Sequence, residues 1–369
     1  MEKRYNRTHF GEVDIAKKSS RRRTILKTVG IGCGGVVLLF AVLAVWIGME
    51  ISQAMKPMEL TESHPFRSAA KKERYLAHYD ARAERWPVAS ETTTITTSFG
   101  PTFVRISGPE DGPPMVLLPG ANATSLLWAP NIEAFSEHHR VYAVDTIFDF
   151  GRSVYTRDLT TPGDFVAWLD ELHDGLGLSN NIRLVGLSYG GWISGQYALE
   201  HPERLEKLVL IAPAATVLDF SMDFIKRGIL CLIPHKYFVR GMVRWALADA
   251  AAGSEEHQRI VEEAVDNAWL GMRSFKPKPM VSPTILSDDQ LRSIAPPTLF
   301  IVGENEVIYS GSGADAIRRL NEVAPEIETA LIPDCGHDLT IIQTELVNRE
   351  ILEFLGTELG GRLPGTRPQ

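Results

Sequence analysis

Cysteine is scarce in this chain, and its scarcity excludes two classes of protein. The 369 residues contain only Cys33, Cys231 and Cys335, and no two of them form a Cys-x-x-Cys pair. A disulfide-stapled domain needs several paired cysteines, and a structural zinc site needs clustered thiolates or imidazoles. We therefore expect neither a disulfide framework nor a structural metal ion.

Positive charge is also in short supply, except at one end of the chain. Lys plus Arg number 38 against 46 for Asp plus Glu, which gives a formal net charge of −8. The first 27 residues carry +6, so the remainder carries −14. A nucleic-acid interface needs clustered basic residues, so nucleic acid is not expected as a partner. An asymmetry of this kind is typical of a terminus directed to a membrane.

Charge is missing altogether from residues 28–49, a run of 22 residues. As a helix this run would be about 33 Å long, against a hydrocarbon core of about 30 Å. Six basic residues lie between Lys17 and Lys27, whereas only Lys56 and Arg67 occupy the comparable stretch after the run. The positive-inside rule then places the N-terminus in the cytoplasm. We expect a single-pass membrane anchor with everything after Glu50 on the outer face.

A cleaved export signal is the alternative interpretation of the same end. Residues 22–27, Arg-Arg-Thr-Ile-Leu-Lys, resemble a twin-arginine motif, and residues 52–54, Ser-Gln-Ala, are compatible with a cleavage site. The uncharged run exceeds the usual signal core of about 7–15 residues, which favours an uncleaved anchor. Both interpretations export the rest of the chain.

Strand and helix patterns alternate beyond the anchor, after a start that resembles an antiparallel hairpin. This alternation predicts an α/β fold, a mostly parallel sheet with helices on both faces. A helical stretch of about 80 residues interrupts it and is too long for a loop, so we interpret it as a cap over the ligand-binding edge of the sheet. The predicted segments are a basic leader (1–27), the anchor (28–49), a linker and helix (50–90), an N-terminal core segment (91–213), a helical cap (214–294), a C-terminal core segment (295–357) and a tail (358–369).

A Gly-x-Ser-x-Gly motif centres on Ser188, between an apolar strand pattern and a helix pattern. A serine on a sharp strand-to-helix turn needs small neighbours, and the turn exposes its hydroxyl at a helix N-terminus. In this context the motif resembles that of the α/β-hydrolase family, over about residues 92–355. The resemblance implies the α/β-hydrolase fold with Ser188 as nucleophile, followed along the chain by an acid and a histidine.

The resemblance also points to the other two members of a catalytic triad. Gly336-His337 follows the last predicted strand, where the family has its histidine, so His337 is the expected general base and acid. The family pattern Gly-x-x-Asp falls on residues 303–306, with Glu306 in place of aspartate and Glu304 as the alternative. Asp334 and Asp338 follow the wrong strand to be the acid and are expected at the surface.

Two backbone amides should stabilise the oxyanion, as in other members of the family. One belongs to Tyr189, directly after the nucleophile. The other falls by position on Ala121, in a loop that has Pro119-Gly120 where the family usually has His-Gly. Because backbone atoms form the hole, the missing histidine does not remove it, but what supports the loop is left open.

These residues together predict a serine hydrolase that cleaves small-molecule carboxylic esters through an acyl-enzyme, without a cofactor or metal. Two alternatives stay open, because a fold does not fix a function. The same fold could catalyse carbon–carbon bond hydrolysis, cofactor-free peroxidation or acyl transfer, or it could serve as a non-catalytic receptor.

Overall fold

The computed structural model describes residues 58–357 together with positions 48, 49 and 52. Residues 58–357 fall within one compact unit, Lys56–Gln369. The predicted leader, the predicted tail and all but the last two residues of the predicted anchor lie outside the described residues. Among the residues that the structure describes, no helix combines the length and the apolar character needed to cross a membrane.

One sheet of eight strands organises the described residues, with the strand order β1-β2-β4-β3-β5-β6-β7-β8. The strands are β1 (Ser90–Thr97), β2 (Gly100–Ser107), β3 (Pro114–Leu118), β4 (Arg140–Val144), β5 (Ile182–Leu187), β6 (Leu205–Ile211), β7 (Thr298–Gly303) and β8 (Glu328–Ile332). Strand β2 pairs antiparallel with β1 and β4, and all other pairs are parallel. The predicted mostly parallel sheet with an antiparallel start is confirmed.

Helices cover both faces of the sheet and fill the long insertion. They are α1 (Ala69–Ala83), α2 (Ile132–Ser136), α3 (Pro162–Gly175), α4 (Tyr189–Glu200), α5 (Met222–Leu230), α6 (Lys236–Ala246), α7 (Ala248–Ala252), α8 (Glu255–Ser274), α9 (Asp288–Ser293), α10 (Gly313–Val323), α11 (Leu339–Ile342) and α12 (Thr344–Phe354). Strand β7 is buried along its whole length, as expected for a strand covered on both faces. The core therefore lies on both sides of the central strands.

The insertion between β6 and β7 contains helices α5 to α9 and lies at the carboxyl ends of the parallel strands. Its first helix starts where the Ser221 amide donates to the Ile308 carbonyl, just after β7. Further along, the amide of Ala250 donates to Asp338, just after β8, at 2.6 Å. The insertion thus contacts the same edge of the sheet at which the strand-end loops meet.

Residues 64–66, within the predicted linker-and-helix segment, pack against the rest of the unit. His64 and Phe66 are buried, and the His64 ring contacts the Tyr155 carbonyl at 2.6 Å. The Phe66 ring packs against Phe275 with centroids 4.3 Å apart. Partners about 90 and 210 residues away along the chain therefore hold this segment in place.

Candidate active site

Ser188 occupies the turn between β5 and α4 in a backbone conformation that few residues other than glycine adopt. Its φ is 53° and its ψ is −114°. Three backbone hydrogen bonds hold it there: its amide donates to Ile211 at 2.9 Å, and its carbonyl accepts from Trp192 at 3.0 Å and from Ala214 at 2.9 Å. Such strain persists only where the surroundings over-determine it, and it is concentrated at functional sites.

The glycines on either side of Ser188 answer a steric requirement. A Cβ atom on Gly186 would lie 2.4 Å from the carbonyl oxygen of Gly190, and one on Gly190 would lie 2.4 Å from that of Leu118. A Cβ atom on Gly120 would lie 3.3 Å from the Cβ atom of Ser188. The strand, the helix and the loop after β3 therefore approach one another closely around the serine.

Replacement of Gly190 by alanine is expected to lower the free energy of unfolding by about 1–3 kcal/mol or more, because the added methyl group meets backbone atoms that cannot move away. Gly195 on the same helix provides a matched control. Its added Cβ atom would have nothing closer than 3.7 Å, and alanine has the higher helix propensity by up to about 1 kcal/mol. Urea unfolding of both variants measures the difference, and equal stabilities would contradict the steric account.

His337 and Glu306 form a buried pair at the ends of β8 and β7. The Nδ1 atom of His337 lies 2.9 Å from Oε2 of Glu306, and the side chains are 10% and 0% exposed. The other carboxylate oxygen of Glu306 accepts the Ile308 amide at 2.8 Å. Burial alone would lower the pKa of His337, but the charge and hydrogen bond of Glu306 outweigh it and raise that pKa.

The alternative acid, Glu304, lies elsewhere. It is exposed, and its carboxylate accepts the Asp334 amide at 3.5 Å rather than contacting the histidine. The two strand-end loops are joined by the Asn305 amide, which donates to the Cys335 carbonyl at 2.8 Å. This junction aims residue 306, and not residue 304, at the imidazole.

The prediction that Asp338 lies at the surface is wrong, because the residue is buried. It is 1% exposed, and its two carboxylate oxygens accept the amides of Ala250 at 2.6 Å and Gly336 at 3.2 Å. Burial raises its pKa, which the hydrogen bonds partly oppose. Asp338 thus links helix α7 of the insertion to the loop that carries His337. Asp334, by contrast, is exposed as expected.

The two predicted oxyanion donors are backbone amides near the turn that carries Ser188. The Tyr189 amide is the first of α4, where no carbonyl one turn earlier is available, and the Ala121 amide lies in the loop after β3. Within residues 58–357, neither amide donates a hydrogen bond to another protein group. The partial positive charge of the α4 N-terminus adds to the attraction for an anion. The Tyr189 hydroxyl donates instead to the Val281 carbonyl at 2.9 Å.

Two side chains that sequence reasoning missed support the loop that carries Ala121. The Asn122 amide donates to Oδ2 of Asp149 at 3.0 Å. The Asn122 carbonyl accepts from Nδ2 of Asn267 at 2.9 Å. Asn122 has a φ of 60°, so the loop is held at both faces of a strained residue. These contacts hold the loop in which Pro119 stands where the family usually has histidine.

Asn267 belongs to helix α8 of the insertion and is itself fixed by the helix that precedes the sheet. It is 2% exposed, and its Oδ1 accepts the Tyr75 hydroxyl at 3.2 Å. One side chain therefore connects α1, the insertion and the residue next to a predicted oxyanion donor.

Replacement of Asn267 by leucine is expected to lower kcat about 10-fold or more with a smaller effect on KM, because a displaced oxyanion donor weakens transition-state binding. The matched control is Gln258→Leu, on the same helix, where an exposed amide donates only to the Gly253 carbonyl. Steady-state kinetics on a short-chain ester measure both variants. An unchanged kcat in a folded Asn267→Leu protein would contradict the role.

Metal ligands are not clustered in the part of the chain that the structure describes. No group of three or more His, Cys, Asp or Glu residues is placed there to hold an ion.

Comparison with known proteins identifies relatives over most of the chain. The profile of the α/β-hydrolase fold family matches residues 113–230. The uncharacterized carboxylesterase nap of Bacillus subtilis is 34% identical over 289 residues, which cover 78% of this chain and 94% of the relative. The carboxylesterase YbfK of the same organism is 34% identical over 283 residues, covering 76% and 93%.

Solved structures give the same result. The crystal structure of naproxen esterase from Bacillus subtilis superposes with a TM-score of 0.71 at 32% identity, covering 81% of this chain and 100% of that one. A 2-hydroxy-6-oxo-6-phenylhexa-2,4-dienoate hydrolase from a Rhodococcus species has a TM-score of 0.61 at 19% identity, covering 73% of this chain and 100% of that one, which shows a common fold alone.

Proposed function

The chain belongs to the α/β-hydrolase family and is an esterase, and from that premise we propose that it hydrolyses carboxylic esters with a Ser188–His337–Glu306 triad. The observation that carries the proposal is the buried His337–Glu306 hydrogen bond, at the strand ends that follow the strained turn of Ser188 in chain order. The carboxylate fixes the imidazole tautomer and stabilises its protonated form, which is what a general base in this role requires.

The reaction proceeds through an acyl-enzyme. The Ser188 hydroxyl attacks the acyl carbon while its proton passes to His337. The amides of Tyr189 and Ala121 donate to the oxyanion of the tetrahedral intermediate. His337 then returns the proton to the leaving alcohol as the C–O bond breaks. Water repeats these steps on the acyl-enzyme, so that the acid is released and the serine restored.

A substrate panel separates this proposal from its alternatives. We expect hydrolysis of p-nitrophenyl esters from acetate to octanoate. Cleavage of a vinylogous diketone and formation of a peracid should both be much slower. The carboxylesterase relatives support this preference. Turnover of the diketone with no measurable ester hydrolysis would instead favour carbon–carbon bond cleavage. A purified, folded chain that turns over none of the panel would favour a receptor.

We also propose that residues 28–49 anchor the chain, with the N-terminus in the cytoplasm and the catalytic unit on the outer face. The uncharged run and the basic residues before it support this topology. Protease added to intact spheroplasts should remove ester hydrolysis while a cytoplasmic marker survives. The mass of the exported chain distinguishes the anchor from a cleaved signal. Cleavage near residue 54 would shorten the chain by about 5–6 kDa, at roughly 110 Da per residue, and would release it from the membrane.

A further inference from the structure

Helices α5 and α6 expose an unusual amount of apolar surface. None of the nine residues of α5 is buried, and Met222, Ile225 and Ile229 recur at helical spacing. A helix of a water-soluble domain normally turns such a stripe to the core. We define the hairpin face as the exposed apolar side chains of this segment: Met222 (63%), Ile225 (40%), Ile229 (60%), Leu230 (43%), Leu232 (49%) and Tyr237 (71%).

The same segment is positive in an otherwise acidic unit. Residues 222–246 carry five basic side chains and one acidic one, whereas the chain after residue 27 carries −14. Lys236 pairs with Asp266 on α8, and Arg240 and Arg244 share the single carboxylate of Glu262. Two acidic side chains of α8 therefore balance part of this charge, and the segment keeps a net positive charge. Basic residues beside an apolar helix face are typical of helices that lie in the interface of a bilayer.

The N-terminal end of the range 58–357 lies near the segment that carries the hairpin face. The Lys276 amide donates to the Pro65 carbonyl at 2.9 Å, and its Nζ to the Glu59 carbonyl at 3.1 Å. These residues directly follow the end of α8 at Ser274. The Lys236 contact on α8 is at Asp266, eight residues earlier, or about 12 Å along the helix. Residues 59–65 therefore contact the chain directly after α8, and the segment that carries the hairpin face contacts α8 itself.

The length of chain before residue 58 limits the distance to a membrane. The uncharged run ends at residue 49, and nine residues span at most about 30 Å when fully extended. With residues 28–49 in a bilayer, the end of α8 would be held within about that distance of the headgroups.

From these observations we propose that the hairpin face docks on the anionic phospholipid surface to which the chain is anchored. Its apolar side chains enter the boundary between headgroups and acyl chains, and the net positive charge of residues 222–246 is attracted to lipid phosphates. The proposal goes beyond ester hydrolysis and rests on the anchor proposed above. The Ser221 contacts with Ile308 and Val307, just after Glu306, bring the docked surface next to the active site.

The test places the full chain, one copy per nanodisc, in anionic lipid that carries nitroxide quenchers on the acyl chains. An environment-sensitive fluorophore is attached through Ile229→Cys in a background of Cys33→Ala and Cys231→Ser, while the buried Cys335 stays. Leu331→Cys gives the matched control, because this leucine is 40% exposed on β8, the edge strand of the sheet, and is not part of the hairpin face. We expect the label at 229 to be quenched at least twofold and the label at 331 to be unaffected.

A second variant tests whether the quenching at residue 229 depends on the hairpin face. Ile225→Glu is expected to remove most of the quenching at 229 and to leave hydrolysis of a soluble short-chain ester unchanged, since residue 225 is exposed and contributes no catalytic group. Equal, low quenching at 229 and 331 would overturn the proposal. So would a label at 229 that is shielded from water but not quenched, because a protein surface would then cover the face. A chain that does not enter nanodiscs would overturn both docking and anchor, while leaving the esterase intact.

Discussion

Replacement of Ser188 by alanine is expected to lower kcat/KM for p-nitrophenyl esters by about 10⁴-fold or more, because the nucleophile of a triad acts as a unit with its base. The variant should also lose covalent labelling by a fluorophosphonate probe. Residual turnover would come from the oxyanion donors and substrate binding alone. A folded Ser188→Ala protein that is still labelled, or that retains wild-type hydrolysis, would contradict the assignment of the nucleophile.

The Ser188→Gly variant tests whether the backbone at residue 188 is strained. Glycine adopts a φ of 53° without the steric cost that serine meets, so this inactive variant should unfold at a higher temperature than the wild type. Alanine, which shares the cost, should not. Thermal unfolding of the three proteins separates the loss of a hydroxyl group from the relief of strain. Equal midpoints for the glycine and alanine variants would show that the turn stores no strain.

Replacement of Glu306 by glutamine is expected to lower kcat by about 10³- to 10⁴-fold, because the amide no longer fixes the tautomer or stabilises the protonated imidazole. The discriminating control is Glu304→Gln, two residues away on an exposed side chain. It should retain wild-type kcat. The opposite outcome, with Glu304→Gln inactive and Glu306→Gln active, would move the acid to the other carboxylate.

The Glu306→Gln variant should also shift the pH profile in a defined direction. His337 must be neutral to accept a proton, and Glu306 raises its pKa, so activity in the wild type falls as the pH decreases through that raised pKa. Without the negative charge, burial lowers the pKa of His337. The acidic limb of kcat/KM should therefore move to lower pH in the variant. A shift to higher pH would contradict the coupling between the two residues.

Local steric requirements explain what the sequence alone could predict. The Gly-x-Ser-x-Gly turn is short in sequence, and its glycines contact atoms within a few ångströms, so the motif contains most of its own geometry. The buried parallel strands were equally visible as apolar runs. The resemblance to the α/β-hydrolase family supplied the order of serine, acid and histidine. Strand ends that meet at one edge of the sheet can bring such residues together.

Long-range contacts explain what the sequence could not predict. Asn267 and Asn122 are 145 residues apart, and the insertion that carries Asn267 contains no motif. Asp338 was expected at the surface because nothing in its neighbourhood shows that α7 packs over it. The family pattern put Glu306 before Glu304, but the hydrogen bond between Asn305 and Cys335 that joins the two loops could not be read from the sequence.

The contacts of Asn267 set a condition for exchanging segments between related enzymes. Laboratory recombination often grafts the variable segment over the active site from one relative to another in order to change selectivity. In this protein such a graft would remove the amide that holds Asn122 and leave the hydroxyl of Tyr75 without its acceptor. A chimera would therefore have to carry an asparagine at the position of Asn267 and keep Tyr75 on helix α1. A graft that changes selectivity would therefore also change the catalytic geometry of this protein.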